Sequence, residues 1–107
     1  MIPSWRMAVV YTTEAFDVWF ESLRDKQAAR RIQARIDRTE EGHFGDCKPV
    51  GEGVSEMRVH HGPGYRLYFT RRGVEIVILL AGGDKSTQHK DIERALALSR
   101  QLMENER

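Results

Sequence analysis

"RVHHGPGYRLYFTRRGVEIVILL", residues 58–80, is the stretch on which the fold turns. A Gly-Pro-Gly segment separates two runs that alternate with period two, and a third, continuously apolar run follows Gly73. Residues 54–61 and 65–72 read as the arms of a hairpin. Residues 74–80, "VEIVILL", read as a further strand, apolar on both faces and therefore central. Sorting the hairpin by parity puts Met57, Val59, Leu67 and Phe69 on a core face and Arg58, His60, Arg66 and Tyr68 on the other. With a tight turn centred on Pro63, Arg58 would oppose Tyr68 and His60 would oppose Arg66, each pair ~5 Å apart.

Working outward, "RMAVVYTT" (6–13) is a first strand by its β-branched and aromatic content. Thr13 caps a helix in which Phe16, Trp19, Phe20 and Leu23 recur at helical spacing. Asp25 caps a second helix with Ala29, Ile32 and Ile36 inward and Arg30, Arg31, Arg35 and Arg38 on a solvated side; Gly42 ends it. "GHFGDCKPVGEG" (42–53) reads as a loop, and "GGDKS" (82–86) as a break after the apolar strand. Ser86 or Thr87 then caps a last helix with an apolar stripe of Ile92, Ala95, Leu96, Leu102 and Met103. The order is strand, two helices, three strands, helix. It implies an α+β protein with a small mixed four-stranded sheet, an N-terminal helical hairpin and a C-terminal helix, all helices on one face.

The 107 residues are expected to form one domain, 1–107. Seventeen Lys and Arg against sixteen Asp and Glu leave a net charge of +1, so the charge pattern, not its sum, is informative. Between Met57 and Gly73 there are basic residues and no carboxylate. Opposed like charges destabilise a sheet, so this face requires an acid from elsewhere in the chain, an acidic partner, or phosphates. Arg58 alone could be a structural arginine paired with Glu40, Glu41 or Glu56. His60 and His61 point to opposite faces and cannot share a metal; His61 and Tyr65 read as packing residues. Arg71 and Arg72 taken singly read as solvated. An arginine on the even face is expected to contribute little to the core. Lys85 ends the apolar strand, and His89 lies four residues later in the first turn of the last helix.

There is no P-loop and no dinucleotide fingerprint, and the lone Cys47, lacking a CxxC partner, excludes zinc ribbons and internal disulfides. His43 with Cys47 makes a poor metal site. A reducing cytoplasm is the expected location, and no stretch approaches membrane-spanning length.

"MRVHHGPGYRLYFTRRG" (57–73) and "VEIVILLAGGDKSTQHKDIERAL" (74–96) resemble the RelE/ParE toxin superfamily, and within it the HigB-like, phage Gp49-related "addiction module killer" branch. The resemblance runs from Tyr11 to Leu102. It implies the toxin of a type II toxin–antitoxin system: a cofactor-free, metal-independent endoribonuclease acting on messenger RNA in the ribosome. Its partner would be a small antitoxin, typically a helix-turn-helix DNA-binding protein, so that DNA is engaged indirectly; no membrane is involved. By position, Arg66 would hold the scissile phosphate, with Arg58 and Lys85 beside it. Many relatives carry a catalytic tyrosine in the last helix, whereas this chain has none after Tyr68. Proton transfer would fall to His60, His89 or Lys85. Tyr68, Arg71 and Arg72 are the expected RNA-binding residues. Two rival readings are a ParE-like gyrase inhibitor and a non-catalytic antitoxin-binding module.

Overall fold

The structure, a computed structural model, describes residues 7–105. Its elements are β1 (Val9–Thr12), α1 (Glu14–Glu21), α2 (Lys26–Glu40), β2 (Cys47–Gly51), β3 (Val54–Val59), β4 (Tyr65–Arg72), β5 (Ile76–Asp84), a 3-10 turn (Lys85–Thr87) and α3 (Gln88–Asn105). Arg6, at the start of the expected first strand, lies outside the described residues. Among the described residues no helix is long and apolar enough to cross a membrane.

The helix starts follow from their caps. Thr13 Oγ1 accepts the Phe16 amide at 3.0 Å, and one Asp25 oxygen accepts those of Gln27 and Ala28, at 3.0 and 3.1 Å. Gly42, at φ 91, takes up the left-handed backbone just beyond α2.

The sheet has five strands in the order β1-β5-β4-β3-β2, one more than expected. The extra strand is β2, from the segment read as a loop. It is a short edge strand with an irregular register between Pro49 and Gly51, and an edge is where proline is tolerated. β1 runs parallel to β5 and the other pairs are antiparallel, so the sheet is mixed, with β4 at its centre between β5 and β3.

Helices cover both faces, not one. Phe16, Ala28, Ile32 and Ile36 of α1 and α2 pack on Met57, Val59, Leu67, Phe69, Val77 and Leu79. On the opposite face Ala95, Ile92, Leu96 and Leu102 of α3 pack on Val54, Tyr68, Leu80 and Ala81. A bulge turns two consecutive β5 residues toward α3: Tyr68 pairs with Ala81 and Phe69 with Leu79, and Leu80, the residue left over, joins Ala81 in that cluster. The one-sided expectation failed because Glu56 and Tyr68 are polar residue types, yet both are fully buried beneath α3.

"GGDKS" does not break the strand; β5 continues to Asp84. The glycines are there for space. A Cβ on Gly82 would collide with the Trp19 ring of α1, and one on Gly83 with the Asp91 carboxylate of α3. Gly82→Ala should therefore cost roughly 1–3 kcal/mol by overpacking, read from the midpoint of urea unfolding. A change below about 0.5 kcal/mol would mean that Trp19 moves aside freely.

Candidate functional site

Because α3 covers the middle of its face, the ends of β3 and β4 stay open. There a cleft of about 340 Å³ is lined by Arg58, His60, the Gly62-Pro63-Gly64 loop, Tyr65, Arg66 and Lys85.

The register of the hairpin differs from the expected one. Arg58 lies opposite Arg66, Glu56 opposite Tyr68 and Val59 opposite Tyr65. The connection is a five-residue loop, His60–Gly64, rather than a tight turn. It is closed by His61 N–H to Val59 O at 3.0 Å and Gly64 N–H to His61 O at 3.1 Å. Gly62 and Gly64, at φ 54 and 81, supply the left-handed positions. Pairing slips by two residues, so each side chain keeps its face while its neighbour changes.

Two opposed guanidiniums need acids, and two are present. Asp46, in the loop between α2 and β2, accepts Arg58 Nη2–H on one oxygen and binds His60 Nε2 on the other, both at 2.7 Å. The Arg58 guanidinium, and secondarily His60, hold the Asp46 carboxyl below its ordinary value, and Asp46 in turn raises Arg58. This contribution to stability is complete above the unfolded-state value near 3.8 and fades as pH falls through the lower folded-state one. Unfolding midpoints measured from pH 7 down to 3 should decline in that acidic window, and less steeply in Asp46→Asn.

The second acid is Glu56, on β3. It is 1 % exposed, accepts Tyr68 Oη–H at 3.2 Å and Gln88 Nε2–H at 2.8 Å, and lies 3.6 Å from Arg66 Nε. Arg66 also donates through Nη1 to Gly64 O at 3.0 Å, and its side chain is 13 % exposed. So the expectation that Arg66 contributes little to the fold is corrected: it balances a buried carboxylate. Lys85, exposed in the 3-10 turn, has no ion-pair partner among the described residues and is the cleft's unneutralised cation.

The other expected site residues lie elsewhere. Tyr68 is 0 % exposed, so its ring is not available to stack on a base. Burial first, then the neighbouring Glu56, pushes its phenol far above the usual range. His89 is solvent-exposed, pairs with Glu93 at 3.3 Å and does not line the cleft. Arg71 and Arg72 end β4, ~20 Å along the strand from Arg66. Arg71 sits 4.5 Å above the Phe44 ring, on the face opposite Arg66's, and Arg72 is half-buried. His61 meets Asp25 at 3.1 Å on the helical-hairpin side.

Asp46 and Glu56 in these roles were not assigned from the sequence. The surplus of cations demanded acids, and Glu40, Glu41 and Glu56 were the candidates for Arg58; Arg58 pairs with Asp46 instead, and Glu56 lies beside Arg66. The arrangement suits a phosphodiester: two arginines in fixed orientation and a free ammonium can share the charge of a phosphorane, beside an imidazole.

The fold is that of RelE toxins: a solved structure of an arginine-to-alanine double mutant of Escherichia coli toxin RelE in the free state superposes with a TM-score of 0.68. It covers 85% of this chain and 96% of that one at 13% identity. Residues 18–104 match the family described as phage-derived protein Gp49-like, and the chain belongs to that family. A Haemophilus influenzae protein of uncharacterised function is 46% identical over 93 residues, spanning 87% of this chain and 94% of that protein.

Proposed function

We propose that the protein is the toxin of a type II toxin–antitoxin pair and acts as a metal-independent endoribonuclease on messenger RNA in the ribosome. The observation that carries this reading is the convergence of Arg58, Arg66 and Lys85 on one cleft, with His60 on its rim. The family and the fold support a toxin. The cleft supports phosphate chemistry. A ribose 2′-hydroxyl attacks the adjacent phosphorus, Arg66 and Arg58 hold the non-bridging oxygens, and Lys85 offsets the charge that accumulates. A small antitoxin covering this basic face would silence it.

The test is to induce the protein in a bacterial host and map transcript 5′ ends. New ends inside translated codons, and none in untranslated RNA, are the expected result. Growth arrest with intact messages and DNA damage would replace this reading with gyrase inhibition. Soluble protein without arrest would leave a binding module.

A further inference from the structure

We propose that Asp46 is a positioning residue that fixes His60 as the proton-accepting group of the cleft, an inference that rests on the endoribonuclease reading. His60 is the sole imidazole lining the cleft among the described residues, and its Nε2 is held by a carboxylate at 2.7 Å.

The carboxylate is held in place by a built loop. Arg35 of α2 donates through Nη2 to Phe44 O at 2.9 Å and through Nη1 to Arg58 O, tying the loop to β3. Arg58 N–H donates to Asp46 O at 2.9 Å. Gly45, at φ 69, turns the chain where a Cβ would meet Arg35 Nη2 at 2.7 Å. These contacts fix the backbone from which the Asp46 carboxylate reaches both Arg58 and His60. Exposed ion pairs add little stability; orientation is what this one supplies.

With Nε2–H given to Asp46, the neutral ring presents the Nδ1 lone pair as its acceptor. Nδ1 takes the proton of the 2′-hydroxyl while O2′ forms its bond to phosphorus and the P–O5′ bond breaks. The O5′ leaving group takes a proton from the Lys85 ammonium or from water. A 2′,3′-cyclic phosphate and a 5′-hydroxyl result, and Asp46 stabilises the imidazolium formed, as a carboxylate behind a catalytic histidine does. No tyrosine is required.

The experiment is single-turnover cleavage on ribosomes carrying a defined message, comparing wild type, Asp46→Asn, His60→Ala and the double variant. Each variant is first checked for wild-type thermal unfolding. Asp46→Asn should slow the bond-breaking step about 10–100-fold, below the ~10²–10⁴-fold of a proton-transfer group itself. Half-saturation by ribosomes should change by less than about twofold, so the loss falls on kcat and not on KM. In the His60→Ala background, Asp46→Asn should have almost no further effect. A persistent effect there would mean that Asp46 acts through Arg58, and would overturn the proposal. So would wild-type cleavage by Asp46→Asn, or a loss confined to ribosome affinity. Absence of cleavage by the wild type is a different failure, of the endoribonuclease reading and of this inference with it.

Discussion

Arg66→Ala is expected to abolish growth arrest and the appearance of new transcript ends, with the cleavage rate falling ~10²–10³-fold or more. Its guanidinium is anchored to the Gly64 carbonyl and next to Glu56, and so would meet a phosphate already oriented. The same anchoring complicates alanine. Removing the cation leaves Glu56 buried with the Tyr68 and Gln88 donors alone, at a cost of about 1–3 kcal/mol. Arg66→Lys separates the two effects. It keeps a charge beside Glu56 and loses the planar fork, so it should unfold near the wild-type temperature and still cleave at least ~10-fold more slowly. Full toxicity in Arg66→Lys would reduce the role of Arg66 to charge alone. Full toxicity in Arg66→Ala would remove it from the site.

Phe69→Ala should destabilise the protein by ~3–5 kcal/mol. Phe69 is 4 % exposed on the face covered by the helical hairpin, with its ring 5.6 Å from Phe44. In a domain of this size each kcal/mol lowers the melting temperature by roughly 4–8 °C, so the shift is easily measured. A loss below about 1 kcal/mol would mean that the hairpin faces are reversed. Phe44 lies two residues before Asp46 and supports Arg71, so loosening it should also blunt cleavage under conditions where the fold survives.

Where local signals decide structure, the sequence was readable. The caps at Thr13 and Asp25 act as read, and Phe69 and Leu67 lie in the core. Pairings between distant segments were not readable. β2 carries a proline and two flanking glycines and has no periodic signature. Its existence depends on Cys47 meeting Met57, which no local pattern announces. Tyr68 reads as an open-face residue because it is polar and even-numbered, yet it is buried, with its hydroxyl donating to Glu56, which also accepts from Gln88. At the site, the surplus cations were visible as a pattern, whereas the carboxylate that organises them lies twelve positions from Arg58 in a glycine-rich loop. His89 was linked to Lys85 by nearness in sequence, but the helix turns it away.

The pairing of β1 with β5 has a consequence for synthesis. Val9 lies beside Ile76 and Thr13 donates its hydroxyl to the Leu80 carbonyl, 67 residues away. The first strand thus waits for the last, and the sheet closes after nearly everything between them has left the ribosome. Arg58 and Arg66 emerge earlier, but Lys85 lies beyond the strand that completes the sheet. A nascent chain stopped short of residue 76 has its arginines and no completed sheet to hold them; on the endoribonuclease reading proposed above, the machinery that makes this protein would not meet an assembled cleft until the chain is almost complete.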